Sequence, residues 1–198
     1  MSSFHKQKTP VHKSLNKKRY EIKAEKLGNL EIFKKINISV CVHCANLKIF
    51  EELITYIKNF EEFEWNRLQI IINVVIDLVN KDTVHQLIKD TFKKGNFIII
   101  KSKNKGNDIG GFLRCYNYIK DDDHIISHIH TKGRVEWRQG LMKIYTKEGI
   151  YNSVRLLYFE KIGMVGNNNQ LWHFYKNENM SYKNNIHKLC NNLNIRYN

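Results

Sequence analysis

Two short stretches of this chain combine residue types that can do chemistry. In Asn104-Lys105-Gly106-Asn107-Asp108-Ile109-Gly110-Gly111, the glycines let the backbone turn tightly and come close to a ligand. Asp108 can accept hydrogen bonds from sugar or ribose hydroxyls there. The pattern is not a GxxxxGK[ST] phosphate loop. Its structural reading is a strand-to-helix connection with Asp108 near the helix N-cap. In Ser127-His128-Ile129-His130-Thr131-Lys132, strand alternation puts His128 and His130 on one face. Two imidazoles so spaced can share a divalent cation, and the Lys132 ammonium suits a diphosphate as a point charge. The structural reading here is a hydrogen-bonded pair of strand-end histidines. Trp137-Arg138 adds a ring that can stack and a guanidinium that can clamp a phosphate, or an amphipathic helix anchored by a core Trp. Asp121-Asp122-Asp123 looks like an acidic metal motif but falls before the strand, at the end away from the other groups. It reads as a solvated turn.

The elements that must hold these groups alternate along the chain. Ile36 to His43 is an Ile/Val-rich run that predicts a buried strand. Leu47 to Phe60 follows with apolar residues at helical spacing. Leu68 to Leu78 predicts a second strand and Lys81 to Lys93 a second helix. Phe97 to Lys101 predicts a third strand, the Gly-rich segment a turn, and Phe112 to Ile119 a helix. His124 to His130 predicts a fourth strand, and Trp137 to Phe159 a long helix that Gly140 and Gly149 can interrupt. Strands and helices alternating at these lengths predict an α/β fold, a mostly parallel doubly wound sheet with helices on both faces. Ligands on such sheets bind beyond the carboxyl ends of the strands, which points to His43, the Asn104 to Gly111 turn and His128 to Arg138.

The chain of 198 residues is 42% hydrophobic, enough for one core. Its apolar runs are far shorter than the roughly 20 residues that span a bilayer, so no transmembrane segment is expected. The N-terminus is charged from Lys6 onward and does not read as a secretory signal, which predicts a cytoplasmic address. Cys41, Cys44, Cys115 and Cys190 are too scattered for a disulfide framework. Cys41 and Cys44, three apart on a strand, point to opposite faces, against a zinc knuckle. Formal net charge is +14, and Met1 to Ile36 holds ten Lys or Arg against three Glu. Residues 1–35 therefore read as a basic, partly disordered arm, with Arg19 to Lys35 as a short basic helix, and 36–198 as the folded domain. Such an arm suits a polyanion or an anionic membrane surface. Lys, Asn and Ile are abundant throughout, a composition that genome base bias alone produces, so the positive charge is a weak sign of specific nucleic-acid binding.

Taken in order, His43, Asn104-x-Gly106-x-Asp108, His130-Thr131-Lys132, Trp137-Arg138 and Ile162-Gly163-Met164-Val165-Gly166 resemble the pattern of the rhamnan synthesis F family over roughly Ile36 to Asn198. The resemblance implies a glycosyltransferase-A type fold, like that of nucleotide-diphospho-sugar transferases. It also implies a nucleotide-sugar donor, often a deoxyhexose such as rhamnose, and a glycan or polysaccharide acceptor. Carried over residue by residue, it makes His130, Lys132 and Arg138 the donor-phosphate contacts, Asp108 the sugar or ribose contact, His43 a wall of the nucleotide pocket, and Asn104 and Gly106 further donor-binding positions. Manganese or magnesium, held by His128 and His130, is the candidate cofactor. Asn107 stands where the family carries a basic residue, and the Gly133 to Glu136 loop is short. The family continues with a further apolar strand after the helix that follows Gly166, so a partner chain is expected to complete the acceptor side. The alternative from another class is a non-catalytic basic protein that keeps the fold and docks on nucleic acid or an anionic surface.

Overall fold

The computed structural model describes residues 30–120, 122, 125–159 and 164–166. Four parallel strands form one sheet in the order β3-β2-β1-β4, with β1 Asn37–Cys44, β2 Arg67–Val75, β3 Asn96–Ser102 and β4 Ile125–His130. Helix α1 (Leu47–Lys58) joins β1 to β2, α2 (Lys81–Thr91) joins β2 to β3, and α3 (Asn107–Tyr116) crosses back to β4. This is the expected α/β arrangement. Asn46 and Asn80 accept from backbone N–H groups of the first turns of α1 and α2 and so start them.

Alternation along the strands sorts their side chains between two layers. Ile38, Val40, Val42 and Cys44 of β1 join Ile70, Ile72 and Val74 of β2 in the main core, under the apolar stripes of α1 and α2. The opposite face carries Cys41 and Ile71 beneath Cys115 and Phe112 of α3. Cys41 and Cys44 thus lie on opposite sides of the sheet, and Cys41 touches Cys115 instead.

Four sequence expectations shift. The main core begins earlier than Ile36, because a 3-10 turn at Leu30–Lys35 inserts Phe33, fully buried, against Phe63, Trp65 and Tyr151. Phe33 also accepts backbone bonds from Ile36 and Asn66, so Leu30 to Lys35 belongs to the domain rather than to the arm. The Gly-rich turn is half helix, since α3 starts at Asn107 and includes Asp108, Gly110 and Gly111. The long last helix is broken at a 3-10 turn, Lys143–Tyr145, between α4 (Val135–Met142) and α5 (Lys147–Phe159). Gly140 and Gly149 lie inside those helices; the break follows the burial of Tyr145, whose hydroxyl donates to the His128 carbonyl at 2.8 Å. Asp122 is more than a solvated turn: its carboxylate accepts two bonds from Arg67 and one from Asn37, fastening the amino ends of β1 and β2. Met1 to Asn29, Asp121, Asp123, His124, Ile162, Gly163 and Cys190 lie outside the described residues.

Candidate functional site

The candidate site forms where the chain reverses its direction of travel across the sheet, at the carboxyl ends of β1 and β4. Register aligns His43 with His130 on one side and with Asn73 on the other. His43, His128 and His130 all face α3, as the spacing requires. Helix α3 can approach them because of its glycines. A Cβ on Gly111 would run into the His43 imidazole, and one on Gly110 would run into the Lys105 carbonyl. Gly106 caps the helix in the left-handed region, at φ 77°, and Asn107 follows at φ 49°. This tight entry sets Asp108 over the strand ends.

Asp108 Oδ2 lies 3.7 Å from His130 Nε2, with the two side chains 34% and 19% exposed. Both are partly exposed at one rim, and among the described residues neither is consumed by a close structural hydrogen bond. The His128 ring lies 5.6 Å from His130, near-parallel at 28°, and 4.8 Å from Phe112. Asn73 Nδ2 is 3.0 Å from His43 Nδ1, a bond that leaves Nε2 of a neutral His43 protonated. Burial pushes the His128 imidazole down to about 4, helped by His130 and opposed by Asp108. Burial also lowers His130, with Asp108 opposing and Lys132 assisting. His43 is lowered by burial against the pull of Asp108, with His130 and Arg114 adding to the fall. At neutral pH the site is therefore a bank of neutral imidazoles with Asp108 beside it.

The predicted residues divide into two groups. Asp108 and His130 meet, with His43 beneath them and His128 behind. Lys132 stands beside them, its Nζ 4.4 Å from the centre of the Trp137 ring. That contact occupies the ring face expected to stack on a base. Asn104 and Gly106 sit exposed on the loop that leads into α3. Arg138 has a different place from the one expected. It is 6% exposed, its Nε and Nη2 hold both Glu52 oxygens at 2.7 to 3.1 Å, and its Nη1 donates to the Lys132 and Gly133 carbonyls. Its donors are engaged inside the protein, so it fixes the loop that carries Lys132 instead of reaching for a phosphate. For the expected cation, His128 Nε2 is buried without a hydrogen-bond partner, yet among the described residues no three ligating side chains converge.

Sequence reasoning missed Glu52, Asn73 and Arg114, and named Thr131 within its motif without giving it a role. Thr131 Oγ1 accepts from the Ala45 N–H at 3.0 Å, and the Thr131 N–H donates to the His43 carbonyl, tying the exits of β1 and β4 together. Arg114 reaches back to the Lys105 and Gly110 carbonyls and braces the Gly-rich entry. Arg114 follows Gly110 by four residues, a helical spacing that could have signalled the second contact; the others depend on pairs far apart in sequence. No family model, curated protein or solved structure matches this chain.

Proposed function

We propose that the chain is a glycosyltransferase of glycosyltransferase-A type, or its donor-binding half, related to the rhamnan synthesis F family. It moves a sugar, a deoxyhexose such as rhamnose in the first instance, from a nucleotide-sugar donor to a glycan or polysaccharide acceptor. The observation that supports this reading is the meeting of Asp108 and His130 at one exposed rim, above His43, from three separate segments. In that reading His130 and Lys132 face the departing diphosphate, whose charge grows as the glycosidic bond breaks. Asp108 accepts from a sugar or ribose hydroxyl and fixes the donor's orientation. The N-terminus of α3 opens at the same rim and adds backbone N–H groups suited to an anion. Arg138 and Glu52 hold the β4–α4 loop so that Lys132 is already in place. Manganese or magnesium would be held by His128 and His130, where it would offset the charge of the diphosphate. In this reading the protein works in the cytoplasm, peripheral to a membrane surface. Among the described residues no helix is long and apolar enough to cross a membrane.

The test is a thermal-shift screen of uridine and thymidine diphosphate sugars, with and without manganese. A donor at 100 times its Kd adds about 2.7 kcal/mol of stability. Absence of any shift at millimolar donor counts against the proposal.

A further inference from the structure

Two buried thiols meet beneath α3, on the face of the sheet that carries the candidate site. Cys41 on β1 and Cys115 in the last turn of α3 are both 0% exposed and share one small cluster with Ile71. Register sets Ile71 of β2 beside Cys41, and Cys115 Sγ donates to the Ile71 carbonyl at 3.6 Å. The two thiols also share a hydrogen bond with each other. Cα atoms of α3 and β1 come within 8 Å, an approach permitted by Gly111, one turn before Cys115, which has no Cβ to strike His43. Disulfides join Cα atoms roughly 4.4–6.8 Å apart, so a small settling of the helix brings the sulfurs into bonding range.

Cys44 supplies the contrast. It lies on the other face of the sheet, in the main core, where burial pushes its thiol up to about 12. Cys115 goes the other way: the Cys41 thiol beside it lowers it, burial opposes, and backbone groups of Asn73 and Val42 add to the fall. The thiolate is the nucleophile, so Cys115 is the sulfur prepared to react. Access comes through α3 itself. Among the described residues it is the one helix in this cluster, and Gly110 and Gly111 stand in its interior, where glycine disfavours helix. Local opening of so short a helix uncovers both sulfurs together. We infer that Cys41 and Cys115 form a reversible disulfide on exposure to a peroxide, and that this bond pins α3 to β1. The Cys115 thiolate attacks a peroxide oxygen and the O–O bond breaks, leaving a sulfenic acid on Cys115 and a hydroxide that takes up the proton Cys115 had lost. The Cys41 sulfur then attacks the Cys115 sulfur, the S–S bond forms, and the sulfenic oxygen leaves as water with the Cys41 proton. Two thiols are oxidised and one hydrogen peroxide is reduced to two waters. Exchange with an external dithiol breaks the bond again. Asp108 stands in the first turn of α3 and Gly111 rests on His43, so the bond fixes one side of the candidate site, independently of which ligand that site takes.

The test uses the full chain. It is exposed to hydrogen peroxide while folded, alkylated in denaturant without reduction, digested and mapped by peptide mass, with fragmentation to tell Cys41 from Cys44 on their shared tryptic peptide. The expected product links Cys41 to Cys115, leaves Cys44 alkylated, and disappears with dithiothreitol. It should persist in Cys190→Ser and be lost in Cys41→Ser. Recovery of Cys41 and Cys115 both alkylated would overturn the inference. So would a bond from either to Cys44, to Cys190 or to a second chain, or a Cys115 that stops at sulfinic acid. Amide hydrogen exchange on the unsubstituted chain reads the pinning: oxidation should slow exchange in α3 by about tenfold relative to α2, and dithiothreitol should restore it. Exchange in α3 unaltered by the disulfide would overturn that part.

Discussion

Burial sets the charge state of the site, and His128 shows how. Its imidazole is held at about 4 in the folded protein, against an ordinary value near 6.5. Between those values the unfolded chain binds a proton that the folded one excludes, so stability rises with pH across that window. The contribution is complete above about 6.5 and is lost as pH falls towards 4, on the order of 3 kcal/mol in all. His43 and His130 are lowered too and act in the same direction. Urea unfolding followed from pH 7 to pH 4 should show this slope, and His128→Leu should flatten it. A slope unchanged in the variant would locate the proton uptake elsewhere. Asp108 and His130 carry the functional prediction. Asp108→Asn or His130→Ala should weaken nucleotide-sugar binding at least tenfold, about 1.4 kcal/mol, while changing unfolding free energy by less than that. Calorimetry with the donor and a denaturant titration check both halves, and the reverse pattern would make the pair a packing feature. These two positions were legible in the sequence because a Gly-rich turn and a strand end each announce themselves locally. Glu52 was not, because its partner lies 86 residues away and nothing in a helix surface carboxylate names that partner.

The entry to α3 and the exit from β4 show what elements contribute beyond their residues. Gly111 exists so that a helix can cross over an imidazole, and Gly111→Ala should cost about 1–3 kcal/mol while displacing His43. Thermal melts would read the cost, and His43 side-chain NMR shifts the displacement. Gly133, with open space around its Cβ position, serves as the control. At the other element end, Glu52→Ala leaves the Arg138 guanidinium without its carboxylate. Because Glu52 is 43% exposed and Arg138 7%, the penalty is expected below that of a fully buried pair, about 2 kcal/mol. Exchange of the amides around Lys132 should quicken while that of β2 stays slow. Equal protection in variant and parent would show that the loop holds without the latch. Strand and helix existence was readable from periodicity, since β-branched runs and apolar stripes are local. The start of α3 was legible only in part: Asp108 near a helix N-cap was one reading, but the helix itself was expected from Phe112, because glycines argue for a turn until a close packing partner explains them. The break between α4 and α5 was hidden for the same reason, as it depends on Tyr145 finding the β4 backbone.

At the scale of the molecule, the strand order β3-β2-β1-β4 concentrates the candidate chemistry at one rim, while charge is distributed differently. Of the formal +14, a net +7 lies between Met1 and Ile36. Fold class was legible from the alternation of elements; the domain's beginning was not, because Phe33 sits among lysines and only its partners Phe63, Trp65 and Tyr151 identify it as core. That boundary decides where the basic segment can be cut. Removing Met1 to Lys18 takes away Lys6, Lys8, Lys13, Lys17 and Lys18 but stops well before Phe33 and the Leu30–Lys35 turn. Cooperative unfolding and donor binding should therefore survive the deletion within about 0.5 kcal/mol. Association with a polyanion should not. If those lysines neutralise phosphates, the slope of log affinity against log salt should shrink by up to about 4, the loss being largest at low ionic strength. A fluorescence-anisotropy salt titration with single-stranded oligonucleotide, run beside vesicles containing anionic lipid, measures it. An unchanged slope would move the electrostatic contact onto the folded domain, to the lysines that follow β3, and loss of cooperative unfolding would mean that the core extends further toward the N-terminus than Phe33.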